Sequence, residues 1–134
     1  MIISLATSGR KAWESGDIKK AENDFLPSWD AIPEPKAEYD LSQSASHGIT
    51  IFYRSIGNTE KAKQWLNIMR KIYGPGEASE EYVNFLEGTI CYDFGELDEA
   101  FLLFHPQYKK YGNRAFEGED KKYLDFVKNK IKDK

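Results

Sequence analysis

The chain has 134 residues, 40% of them hydrophobic and 31% charged, with only 10 glycines and 5 prolines, the balance of one folded domain over residues 1–134. Its 19 basic and 22 acidic residues leave a formal charge of −3 with both signs interspersed, so there is no basic stripe to neutralise phosphates and nucleic acid is not an expected ligand. Cys91 is the only cysteine, which excludes an intrachain disulfide or a cysteine metal cluster and suits a reducing, cytoplasmic setting; no apolar run has the length of a membrane span or the form of an export signal.

Along the chain, apolar spacing and helix stop signals predict an all-α protein with no sheet. The first two helices are expected over about residues 3–15 and 17–30, parted by Gly16, with Asp17 suited to start the second. Pro27 falls inside the second and is expected to kink or stop it. The connector Ile32-Pro33-Glu34-Pro35-Lys36 cannot be helical, because each proline biases its predecessor away from the helical region. Two helices follow at about 40–56 and 58–73 around Gly57, and Gly74-Pro75-Gly76 breaks the chain again. A third pair is placed at about 79–94 and 96–110 around Gly95, with Pro106 where Pro27 stands in the first pair. A last helix near 119–132 carries Tyr123, Phe126, Val127 and Ile131 at helical spacing and should seal the apolar side of the third pair.

The three glycine turns share a pattern. Glu14-Ser15-Gly16-Asp17-Ile18-Lys19-Lys20-Ala21, Ser55-Ile56-Gly57-Asn58-Thr59-Glu60-Lys61-Ala62 and Asp93-Phe94-Gly95-Glu96-Leu97-Asp98-Glu99-Ala100 each place alanine five residues after glycine. Phe25, Leu66 or Phe104 stands nine residues after the glycine, and Ala12, Tyr53 or Cys91 four before it. Glycine ends the first helix in a left-handed conformation, the small alanine lets the partner helix approach, and the bulky residue fills the space beside it. The pattern resembles the tetratricopeptide repeat over about residues 3–112, with Gly9 and Gly88 at that family's early small position and Thr50 replacing it in the second unit. The glycines stand 41 and then 38 residues apart, more than the roughly 34 usual for the family. The resemblance implies a right-handed superhelix of about three degenerate tetratricopeptide-like hairpins plus a C-terminal capping helix.

A narrower resemblance rests on Trp29-Asp30-Ala31-Ile32-Pro33-Glu34-Pro35-Lys36 with Tyr39 after it, on Gly57 to Trp65, on Cys91 to Ala100, and on the closing segment from Gly112 to Phe126. These landmarks resemble short bacterial tetratricopeptide-like proteins of the toxin-immunity type. The stretch from Leu41 to His47, where more aromatic character is expected, and Pro106 depart from that pattern. The resemblance implies an immunity protein that binds a cognate toxin or effector domain and occludes its active site or substrate channel; with no Gly-rich phosphate loop, nucleophile elbow or paired-carboxylate motif in the sequence, neither enzyme activity nor a cofactor is expected. The alternative is a tetratricopeptide-type peptide-binding adaptor or chaperone. That reading usually requires several Lys and Arg residues in the groove, and only Arg10 and Arg54 qualify.

In a solenoid of helix pairs the first helix of each pair lines the inner surface. The glycine register then puts Arg10, Trp13 and Glu14 inward from the first pair, Ser44, His47, Ile51 and Arg54 from the second, and Tyr82, Phe85, Thr89, Tyr92 and Asp93 from the third. From these, Arg10, Trp13, Glu14, His47, Arg54, Tyr82, Tyr92 and Asp93 are the candidate protein-binding residues, since Trp, Tyr and Arg anchor interfaces most often. Trp13, Ile51 and Phe85 serve equally well as packing between helices, whereas Arg54, Tyr92 and Asp93 are expected to be exposed and available. His47 and His105 lack metal-ligand spacing, and Cys91 holds a small helix-packing position, so no metal site or nucleophile is expected. The acidic runs Glu77–Glu81 and Glu117–Asp120 fit helix-dipole complementation, with steering of a basic toxin as the functional alternative.

Overall fold

A computed structural model describes residues 2–132, with side chains from residue 5 onward. Among the described residues every regular element is helical: α1 (Ile2–Glu14), α2 (Ile18–Asp30), α3 (Asp40–Ser55), α4 (Thr59–Tyr73), α5 (Glu77–Asp93), α6 (Leu97–Tyr111) and α7 (Lys121–Lys132). Short 3₁₀ turns at Lys36–Glu38 and Gly112–Phe116 join them. None of these helices is long and apolar enough to cross a membrane. The chain forms two compact units, Met1–Gly74 and Pro75–Lys134.

Each helix pair turns through one glycine, at φ +89° in Gly16, +78° in Gly57 and +83° in Gly95. The glycine N–H donates to Trp13, Arg54 or Tyr92 at 3.0, 3.2 and 3.1 Å, and the next N–H reaches back to Ala12, Tyr53 or Cys91 at 2.8, 3.0 and 2.8 Å. This double closure satisfies the last carbonyls of the first helix, and a residue with a Cβ is strained at that φ. Asp17 and Asn58 then cap the following helix, their side chains accepting from Lys20 N–H at 3.2 Å and Lys61 N–H at 3.1 Å. One residue therefore closes one helix and opens the next. Glu96 makes the backbone half of this arrangement without a side-chain cap.

Behind the turns the paired helices approach through small residues. Ala21, Ala62 and Ala100 are fully buried. A Cβ on Gly9 would lie 2.8 Å from the Phe25 ring, and one on Gly88 would lie 2.6 Å from Phe104. In the middle hairpin Thr50 is fully buried and its hydroxyl donates to the Ser46 carbonyl at 2.8 Å.

In the first unit, Trp13, Phe25 and Phe52 meet edge to face, with centroids 5.3–6.2 Å apart, and Trp29 meets Trp65 at 5.3 Å. Buried Tyr53 donates its hydroxyl to Glu22 at 2.6 Å, tying α3 to α2, and Lys61 completes the group 3.2 Å from the same carboxylate. Lys36 closes the C-terminal end of α2 by donating to the carbonyls of Trp29 and Ile32 at 3.2 and 2.6 Å, its ammonium over the Trp29 ring. In the second unit, Phe85, Phe101, Phe104, Phe116, Tyr123 and Val127 form one core with Cys91 and Ala100. Lys110 pairs with Glu77 and Glu81, and Tyr111 donates to Glu81 at 2.6 Å, locking the start of α5 to the end of α6.

Three local expectations are revised. Neither proline stops its helix: α2 runs past Pro27 to Asp30 and α6 past Pro106 to Tyr111. The carbonyls left without a proline N–H belong to Asn23 and Leu102, both exposed, so water can serve them. Lys36 opens a 3₁₀ turn instead of extending an irregular connector, because that turn carries its ammonium back to α2. Ile131 remains 37% exposed, so the seal made by α7 consists of Tyr123, Val127 and partly buried Phe126. The segment Gly112–Phe116 winds into a 3₁₀ turn that buries Phe116.

Candidate functional site

An open cleft of about 350 Å³ lies in the first unit where α1 and α3 flank α2. Ala6, Thr7 and Arg10 face it from α1, and Leu41, Ser44, Ala45 and Gly48 from α3. These are i, i+3, i+4 and i+7 spacings, which place the side chains on one face of each helix. Phe25 and Ser28 of α2 and Ile49 of α3 complete it. The lining is mostly apolar, with hydroxyls from Thr7 and Ser44. Arg10 is the one charged group among the described lining residues; it is exposed and no carboxylate pairs with it among the described residues.

Five of the eight predicted binding residues lie in the first unit and three in the second. Arg10 lines the cleft, as does Ser44 from the wider inward set. Trp13 is half-buried against Phe25 and Phe52 and belongs to the packing of the unit. Glu14 is exposed in the last turn of α1. His47 and Arg54 share a face of α3, both half-buried. Burial and then the Arg54 charge hold His47 below the usual imidazole range.

Tyr82 stands 47% exposed near the start of α5, its hydroxyl pushed up by desolvation and by Glu119. Tyr92 and Asp93 at the other end of α5 are engaged by α7. The Tyr92 ring meets Tyr123 and Phe126 edge to face at 5.4 and 5.1 Å. Asp93 accepts the Tyr123 hydroxyl at 3.0 Å and pairs with Lys122 at 3.2 Å, its side chain only 21% exposed. Tyr92 is half-buried against α7, whereas Asp93 is exposed as a residue, as expected, with its carboxylate engaged by α7. Phe85 and Thr89 are buried, and Phe85 joins the aromatic core.

The remaining candidates fill structural places. Cys91 is buried, and its carbonyl closes the Gly95 turn. His105 stacks on Phe101 at 4.7 Å. Glu77 and Glu81 serve Lys110, and Asp120 accepts the Lys122 N–H at 2.9 Å at the start of α7. Among the described residues no cluster of three or more His, Cys, Asp or Glu side chains could hold a metal ion.

Leu41, Ala45 and Gly48 were not among the sequence-derived candidates, although Leu41 opens the run in which the immunity-type pattern shows more aromatic character. The available signal was Gly48, a glycine in the interior of a 16-residue helix. No family model, curated protein or solved structure matches the chain.

Proposed function

We propose that this chain is a tetratricopeptide-like superhelix that binds another protein, acting as an immunity protein that covers the active site or substrate channel of a bacterial toxin or effector domain. One observation carries the reading: a mostly apolar cleft opens between α1 and α3, the first helices of two successive hairpins, with an arginine at its edge that has no partner among the described residues. First helices are the ones that line the inner surface of such repeats. A concave apolar site with an arginine beside it is the form in which protein interfaces concentrate their binding energy. The toxin-immunity assignment itself rests on the sequence landmarks from Trp29 to Lys36 and from Gly112 to Phe126.

The test is co-expression with the product of the adjacent gene. Survival of cells that the product alone kills, together with co-purification of the two proteins, is the expected result. Neither rescue nor binding would remove the immunity reading and leave the peptide-binding adaptor.

A further inference from the structure

We infer that the cleft between α1 and α3 is a socket for one apolar side chain of a partner protein with a carboxylate beside it, the apolar group among Phe25, Leu41 and Ile49 and the carboxylate on Arg10. The inference rests on the protein-binding reading above and specifies the chemistry its partner presents.

Size limits the occupant first. A volume of about 350 Å³ is at the bottom of the roughly 300–1,000 Å³ of sites that enclose whole small molecules. An open cleft of that size takes one or two side chains of a docked protein. Charge selects next. Arg10 presents a planar fork of donors that no described carboxylate occupies, and no described acidic residue lines the cleft to repel one. An apolar side chain alone would leave that fork unused, and a basic segment would be repelled by it.

Gly48 supplies an independent indication. Glycine in a helix interior is destabilising relative to alanine, so its presence there calls for a reason. Gly9 and Gly88 have one, because an aromatic ring lies against each. Gly48 has none among the described residues: beyond its chain neighbours and its own helix backbone, a Cβ there would meet nothing within 4 Å. What a side chain at that position would do is project into the cleft, which Gly48 lines. The glycine keeps the socket open at the expense of helix stability, as binding sites commonly do.

The experiment uses the full chain as bait for phage-displayed random linear peptides, followed by titration of the synthesised consensus peptide. Enriched sequences should set Leu, Ile, Met or Phe beside Asp or Glu. Arg10→Glu and, separately, Gly48→Leu should each weaken the consensus peptide by about tenfold or more, the scale of losing an interface anchor. Gly48→Ala, which leaves most of the cleft open, should retain binding and serves as the fold control. No enrichment, a consensus without a carboxylate, or affinity untouched by both variants overturns the socket. So does a wild-type dimer that Gly48→Leu dissociates, because a second copy would then be the occupant. Peptide binding of the expected kind with no binding of the adjacent gene's product keeps the socket and removes the immunity reading. Undiminished binding of that product by both variants does the reverse.

Discussion

Replacing Gly88 with alanine tests how closely α5 and α6 approach. The added Cβ would stand 2.6, 2.8 and 3.0 Å from three ring carbons of Phe104. That ring is fully buried and hemmed in by Phe85, Phe116 and Tyr123 at centroid distances of 5.1, 5.4 and 5.7 Å, so it cannot swing aside cheaply. Overpacking of this kind costs about 1–3 kcal/mol. Alanine returns roughly 0.5–1 kcal/mol through its better helix propensity, leaving a net loss centred on about 1 kcal/mol within a range of roughly 0–2.5 kcal/mol. Gly48→Ala receives the propensity gain without the clash and should be more stable than wild type by about 0.5–1 kcal/mol. Urea unfolding followed by far-ultraviolet circular dichroism should move the two midpoints in opposite directions at unchanged slope. A Gly88→Ala midpoint at or above wild type would refute the close approach, and a Gly48→Ala midpoint below wild type would refute the open space at Gly48.

Tyr123→Phe deletes the hydroxyl that Asp93 accepts at 3.0 Å; it should cost about 1 kcal/mol and speed amide exchange in α7, and unchanged exchange would count against docking of α7 through Asp93. Lys36→Met removes both donations to the end of α2 and should cost about 1–2 kcal/mol, read from the same urea midpoints, with a wild-type midpoint as the contrary result. Because the folded chain holds His47 below the ordinary imidazole value of about 6.5, protonation favours the unfolded chain. The stability this His contributes is present above that value and is lost as pH falls below it toward the folded one. Melting temperature should therefore drop as pH falls below about 6.5, and His47→Gln should flatten the drop. A separate loss belongs at lower pH, where Glu22, held down chiefly by the Tyr53 hydroxyl, and Asp24, held down chiefly by Lys20, take up protons.

The helical character was legible because its signals are local. Gly16, Gly57 and Gly95 need a left-handed conformation, Asp17 and Asn58 provide side-chain caps, and Ala21, Ala62 and Ala100 are small where a neighbouring helix must lie close; each property depends on a few adjacent residues. The fate of Pro27 and Pro106 was less legible, since a helix survives a proline when the orphaned carbonyl reaches water, and that depends on which face the rest of the fold covers. The site was legible only in part for the same reason. Register put Tyr92 and Asp93 on a promising face of α5, but α7, about thirty residues later, packs on the Tyr92 ring and engages the Asp93 carboxylate. Trp13 carried the composition of an interface anchor and is held by Phe25 and Phe52 instead. Arg10 and Ser44 were found by register, whereas Gly48 carries no side-chain chemistry to read; its meaning comes from the empty space beside it.

Isothermal titration of the adjacent gene's product with wild-type protein and with Gly48→Leu tests recognition through the α1–α3 cleft most directly. Wild type should bind, and Gly48→Leu should bind about tenfold more weakly or worse while melting no lower than wild type. Equal affinities for the two proteins would contradict recognition through the cleft, and the absence of wild-type binding would contradict the immunity function itself.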